Sequence, residues 1–368
     1  KTSNLGTELK GKIGENKNLI INGAMLVAQR GTSASVTGGY LTLDRFETAT
    51  GGVDEAPTQA QVDVSSGTTP YTSGFRKALK VTNGNQTGGA GTSDNIIALR
   101  YHAEAQDIAN SGWNYTSTSS YITLSFWIKS SVAQSFQGVL TSDDGTKQIY
   151  PFATGSLSAD TWTKITKTIP GNSNLTFNND NGKGLTLEII GFSGSDFAND
   201  SATINAWQAR TSGTQFGRAS TSTWYTTNDA TLEITGVQLE VGSVATDFEH
   251  RSYAQELALC QRYYQKLVKH GTYAFQGAYY SSGRINCTVR LVTQMRASPS
   301  LVQTSGSNLY YIYRDGGFDN FSSFTGLTAS DFDSVTFYND SEISGTAGHV
   351  GNVYGVSGTS SVALSAEL

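Results

Sequence analysis

Ile234-Thr-Gly-Val-Gln-Leu-Glu-Val-Gly242, then Ser-Val-Ala-Thr-Asp-Phe-Glu249 and His-Arg-Ser-Tyr-Ala-Gln-Glu-Leu-Ala-Leu-Cys-Gln-Arg-Tyr-Tyr264, is where the chain changes texture. A strand that begins near Ala230 closes here. Beyond it, Tyr253, Leu257, Cys260, Tyr264 and Leu267 recur at helical steps, which puts one apolar stripe along about four turns. Ser252, with Gln255 three residues on, reads as an N-terminal capping pair, and Gly271 as the stop. The spacing therefore predicts a helix from 252 to 269, with β texture on both sides.

Upstream, Tyr121-Ile-Thr-Leu-Ser-Phe-Trp-Ile-Lys129 alternates with period two. Ile122, Leu124, Phe126 and Ile128 share the face expected to be core. Trp162 to Ile169 alternates likewise and ends at Pro170-Gly171. Asp143-Asp144-Gly145 marks a hairpin, and Asn178 to Gly182 a turn into Leu185-Thr-Leu-Glu-Ile-Ile190. Gly39 to Phe46 alternates too, and Asn18-Leu-Ile-Ile-Asn-Gly23 reads as a strand ending in an Asn-Gly turn. Residues 83–95 read as a long exposed loop. Downstream, Arg284 to Arg290, Asn308 to Arg314, Ser334 to Tyr338 and Ser361 to Leu368 carry the β pattern.

These runs predict an all-β chain: two jelly-roll-like β-sandwich domains joined by a short α-helix. The divisions are an N-terminal docking arm or linker at 1–18, a sandwich at 19–250, the connecting helix at 251–270 and a second sandwich at 271–368. Composition agrees. Only 15% of the 368 residues are charged, and Gly, Ser, Thr and Asn punctuate the aromatic and β-branched runs.

The net charge of −5 and the lack of a basic run speak against nucleic acid as a partner. The longest apolar stretch, Leu19 to Ala28, is too short to cross a membrane. The chain begins at a Lys without a signal-peptide pattern, which leaves room for residues upstream. Cys260 and Cys287 read as two buried thiols, as expected of synthesis in a reducing cytoplasm.

Catalytic patterns are missing. Gly-x-Ser-x-Gly is absent. His102, His250, His270 and His349 show no metal-ligand spacing. Gly6-Thr-Glu-Leu-Lys-Gly11-Lys12 approaches a P-loop, but Ile13 stands where a hydroxyl is needed. The pairs Asp143/Asp144 and Asp331/Asp333 read as solvated turn residues rather than glycosidase carboxylates. No catalytic residue, no metal ligand and no cofactor is assigned, although the oxygen-rich loop Asn178 to Asn181 could hold a structural Ca²⁺.

Sugars are bound by aromatic faces beside planar amides, and the chain has 18 Tyr and 5 Trp. Trp127, inside a strand, and Trp162, at the head of one, read as core. The ligand-binding candidates are Trp113 and Tyr115 in a Gly112-Trp-Asn-Tyr115 loop, Tyr279 and Tyr280 before a Ser-Ser-Gly turn, and Tyr310 and Tyr313 in Leu309-Tyr-Tyr-Ile-Tyr313. In this last run Leu309, Tyr311 and Tyr313 share one face, Tyr310 and Ile312 the other. One face should enter a core, and the other should meet a ligand, a neighbouring subunit or another layer of the chain.

Taken together, Asn18 to Met25, Leu43-Asp-Arg-Phe46, Leu124 to Ser130, Asn181 to Leu185, Asn205-Ala-Trp-Gln208 and the 234–264 stretch resemble bacteriophage tail-fibre or receptor-binding virion proteins. The front module is similar to a carbohydrate-binding-module-like jelly roll. Met295 to Ser300 and Ala366-Glu-Leu368 resemble the small domain that follows it. The resemblance implies a homotrimeric virion appendage that binds the host surface, and it fixes no ligand. With the catalytic patterns missing and the aromatic candidates present, the chain is read as a non-enzymatic tail-fibre protein, made in the bacterial host cytoplasm and adsorbing to host surface polysaccharide. Its arm would meet other tail or virion proteins. The alternative is a structural head or tail decoration without a host ligand.

Overall fold

The computed structural model describes residues 17–86, 93–269, 271–304, 306–329, 333–356, 358 and 360–368. Most of the expected docking arm, the near P-loop, His270, Asp331 and the middle of the 83–95 loop lie outside these residues. The backbone is 43% strand and 7% helix, so the chain is all-β. It divides into two units, the first reaching Glu256 and the second running from Leu257 to Glu367.

In the first unit, two six-stranded antiparallel sheets face each other. One runs, in order, Ser33–Ser35, Thr58–Asp63, Lys77–Thr82, Thr231–Val241, Tyr121–Ser130 and Thr163–Pro170. The other runs Gln208–Ala209, Gln148–Ser156, Ser135–Ser142, Lys183–Ser193, Ile96–Glu104 and Phe46–Gly51. The alternation dictates the core. Ile122, Leu124, Phe126 and Ile128 point inward to meet Leu99, Tyr101, Phe152, Leu187 and Ile189 of the opposite sheet, and Phe126 and Phe152 pack at 6.5 Å. Gly138 is placed opposite Phe152 by the strand register. A methyl group there would lie 2.2 Å from the Phe152 ring, which is fully buried and has nowhere to go. Gly138→Ala is expected to cost about 1–3 kcal/mol of stability, read as a lower urea midpoint. An unchanged midpoint would show that the ring has room to shift.

Two of the segments read as strands are polar turns instead. Residues 21–24 form a turn, with Asn22 at φ 61°, and residues 44–45 another, with Arg45 at φ 70°. The Asn-Gly turn is therefore real, but the strand before it is not. The reason is buried hydrogen bonding that a ladder would forbid. Asn22 Nδ2 donates to the Val27 and Asp44 carbonyls at 2.8 and 2.9 Å. Asn18 Nδ2 donates to the Val237 carbonyl at 3.1 Å and its Oδ1 accepts from Leu239 N at 3.0 Å. Glu249 accepts from Asn18 N at 2.7 Å, and Glu256 accepts from Asn22 N. Asn18 and Asn22 thus form a polar clamp that ties residues 18–45 to 237–256.

The capping pair exists: Gln255 N donates to Ser252 Oγ at 3.3 Å and Ser252 N to Gln255 Oε1 at 2.9 Å. The helix, however, covers only Tyr253–Gln261. Tyr264–Lys269, expected to continue it, is a strand paired with Ser361–Ser365. Tyr264 and Val268 are buried through that pairing, so tertiary pairing overrides helical spacing. Gly271, at φ 71°, turns the chain between two strands rather than ending a helix.

The second unit is a smaller sandwich. A three-stranded sheet, Tyr264–Lys269, Ser361–Ser365 and Ser300–Gln303, faces a seven-stranded one. The latter runs Gly317–Phe321, Tyr310–Arg314, Val350–Gly355, Tyr273–Ser281, Arg284–Arg290, Ser334–Asn339 and Gly326–Ala329. Val268, Val362 and Leu364 meet Ile285, Cys287, Ile312, Phe337 and Val353 in its core. Both cysteines are buried and neither is in a disulfide, and burial pushes the Cys287 thiol up to about 12.

Candidate functional site

The outer face of the seven-stranded sheet carries a cluster of aromatic rings, with Tyr273 and Phe318 exposed and Tyr311, Tyr313 and Tyr354 half-buried among them. Pairing register puts them there. Tyr311 and Tyr273 each stand opposite Tyr354 on its two sides, and Tyr313 stands opposite Phe318. Rings that are distant in sequence thus become cross-strand neighbours. Tyr313 is the hub. Its ring lies 5.8 Å from Tyr311, 5.7 Å from Phe318, 6.1 Å from Tyr273 and 6.1 Å from Tyr354. Tyr311 and Phe318 stack at 4.9 Å. Tyr273 is 68% exposed and Phe318 52%. Exposed Gln276, Asn320 and Asn352 flank the rings on the same strands. The Tyr313 phenol is pushed above its ordinary value, first by loss of water around it and then by its phenol neighbours, so at neutral pH the platform is uncharged. It can stack an apolar ring face and offer amide hydrogen bonds at its edge.

Of the six sequence candidates, only Tyr313 belongs to this platform. Tyr280 lies on the same sheet and is 73% exposed, with the Arg284 guanidinium 5.8 Å from its ring centre. Tyr279 and Tyr310 face the other way and are buried. Tyr279 donates to Asp319 and accepts from Arg314 Nε at 3.2 Å. Tyr310 donates to the Ser361 carbonyl at 2.8 Å. Both phenols are pushed up to about 12, chiefly by burial. These two tyrosines brace the sandwich and present no face to a ligand.

The expected exposure of Trp113 is also corrected. It is 3% exposed, because its indole packs on Phe177 and its Nε1 donates to the Ser120 carbonyl at 3.3 Å. Tyr115 is half-buried, edge-on to Phe177 at 4.9 Å. Conversely, Trp127 and Trp162 are half-buried on an outer sheet face rather than in the main core. Trp127 lines a groove of about 500 Å³ together with Ser125, Lys164, Asp247, Phe248 and His250.

In the Asn178 to Asn181 loop, Asn178 donates to both oxygens of Asp144, at 2.9 and 2.8 Å. Asp180 Oδ1 accepts from Gly182 N at 2.9 Å. Among the described residues, no three His, Cys, Asp or Glu side chains gather as metal ligands. No helix among them is long and apolar enough to cross a membrane.

No family model matches the chain, and no curated protein sequence matches it. Solved structures do. One holds the CBM22-1 and GH10 modules of Clostridium thermocellum xylanase 10B complexed with xylohexaose. It is 10% identical, covers 57% of this chain and 28% of its own, and has a TM-score of 0.28. The enzymatically active domain of bacteriophage CBA120 tailspike protein 4 is 7% identical, covers 61% and 22%, and has a TM-score of 0.32. The N-terminal cellulose-binding domain of Cellulomonas fimi β-1,4-glucanase C is 10% identical, covers 60% and 99%, and has a TM-score of 0.28. This chain spans less than a third of the first two. Its own surfaces carry its functional reading.

Proposed function

We propose that the chain is a non-enzymatic, tail-fibre-type virion protein that adsorbs to host surface glycan through the aromatic platform of its second unit. The five-ring platform carries this reading. A contiguous surface of two exposed and three half-buried rings is suited to the C–H faces of sugars. The front motifs that resemble phage tail fibres supply the virion context, and a homotrimer would repeat the platform three times. Single-site affinities would then combine through effective concentration. The arm before residue 19 would join other virion proteins. A glycan array probed with the full chain is expected to retain it on host-derived polysaccharides. Silence across such a set, with the protein folded, would remove the reading.

Exposed Val350, on a platform strand, favours a second reading. In that reading the rings pack between copies in a structural decoration without host ligand. Light scattering separates the two: ring substitution would dissociate an assembly held by the platform, but would leave a glycan binder's oligomeric state intact.

A further inference from the structure

The outer face of the second sheet in the first unit holds a charged cleft of about 220 Å³. Its floor comes from three adjacent strands. Arg100 Nε meets Glu188 Oε1 at 2.7 Å, and Arg100 Nη1 meets Glu47 Oε1 at 3.0 Å. His102 Nδ1 lies 2.8 Å from Thr186 Oγ1, which donates to Asp143 Oδ2 at 2.5 Å. On the rim, Lys147 Nζ sits 2.9 Å from Asp143, and Lys183 Nζ 3.1 Å from His102 Nε2. Arg210, exposed, and Phe216 close the far side. Asp143 is thus a cleft residue and not the solvated turn residue its sequence position implied.

Three observations point to a ligand. Thr141 is 3% exposed and lines the cleft, yet among the described residues its hydroxyl has no hydrogen-bond partner, a costly arrangement unless something fills the site. Four cations, Arg100, Lys147, Lys183 and Arg210, line the cleft with two carboxylates, Asp143 and Glu188, and Glu47, outside the lining, pairs with Arg100, which leaves one positive charge. Burial holds His102 below its ordinary value, so it adds no charge near neutrality. The Phe216 ring supplies an apolar wall beside these polar groups. A site of this volume, below the 300–1,000 Å³ or so of drug-sized ligands, holds about one sugar ring.

We propose that this cleft binds a carboxylate-bearing sugar, with the acid group near Arg210 and Lys183, a hydrogen bond to Thr141 Oγ1 and the ring against Phe216. One surplus charge matches a carboxylate better than a dianionic phosphate. The Phe216 wall favours a sugar acid over a bare carboxylate. The site lies in the other unit from the aromatic platform and does not depend on that platform binding glycan.

Calorimetric titration of the full chain tests this, with glucuronate and galacturonate against glucose, galactose and acetate. The uronates are expected to bind at least tenfold more tightly than the neutral sugars or acetate, and more weakly as salt rises. Arg210→Gln, at an exposed position, and Thr141→Val should each weaken uronate binding at least tenfold. Thr141→Val should also raise the thermal midpoint, because it removes an unpaired buried hydroxyl. Equal binding of uronate and neutral sugar, acetate matching uronate, no uronate binding, or folded variants that bind like the parent would each overturn the assignment.

Discussion

Trp224→Ala is expected to lower the stability of the first unit by about 3–5 kcal/mol, the range for deleting a large buried aromatic. Trp224 is fully buried. Its ring meets Phe136 edge-on at 6.3 Å and lies beneath Gly191, where even a methyl group would come within 2.9 Å of it. The indole Nε1 donates to the Thr231 carbonyl at 3.0 Å, at the head of a central strand. Truncation therefore leaves a large cavity, while the Thr231 carbonyl keeps its bond from Ser131 N at 3.1 Å, so the cavity sets the loss. Against a typical total of about 5–15 kcal/mol, such a loss removes roughly a fifth or more of the unit's stability. Urea unfolding followed by circular dichroism reads it out, and a change below about 1 kcal/mol would show that the neighbouring strands collapse into the space. Indole added to the variant should recover part of the loss.

Tyr313→Ala should have the largest effect on adsorption. Tyr313 is the ring that touches the other four, so its removal both deletes a stacking face and lets its neighbours splay. One aromatic contact contributes about 0.5–1.5 kcal/mol beyond its area. With that area included, a single site should weaken by about tenfold or more. If three copies engage together, the factors multiply to the order of a thousandfold. The side chain stands on a solvent face, so the unfolding midpoint should move little. Tyr313→Phe keeps the ring and should keep most of the binding, which separates stacking from hydrogen bonding by the phenol. Binding of labelled protein to host cells provides the measurement. Wild-type adsorption by folded Tyr313→Ala would exclude the platform as the contact surface.

The strands with clean period two were legible because one face of each is buried and the other is not. Tyr121–Ser130 and Thr163–Pro170 are the plain cases. Residues 39–46 have the same period, but 44–45 form a buried turn, since Asp44 accepts from Asn22 and Gln29 and Arg45 donates to the His102 carbonyl. The helix was overextended because Tyr264 and Leu267 satisfy a helical spacing by coincidence, while pairing with residues near 361 decides their conformation. The functional surfaces were least visible. Tyr313 could be singled out from its own run, but Tyr273, Phe318 and Tyr354 join it only through register, which no local pattern encodes. The same holds for Glu47, Arg100 and Glu188, drawn from three strands into one cleft. Trp113 and Tyr279 misled because a turn in the sequence does not imply an exposed side chain; each has a polar tip that finds a buried partner.

Ser361–Ser365 lies between Tyr264–Lys269 and Ser300–Gln303, hydrogen-bonded to both. On the ribosome, the first of these partners emerges roughly 90 residues ahead of the strand that joins them, on the order of 5–20 s at ordinary translation rates. Throughout that interval two strand edges and part of an apolar core lie uncovered. The second unit therefore stays open to chaperones until its central strand is made, and a chain cut short before Ser361 should go to aggregates or proteolysis rather than yield a shortened, folded protein.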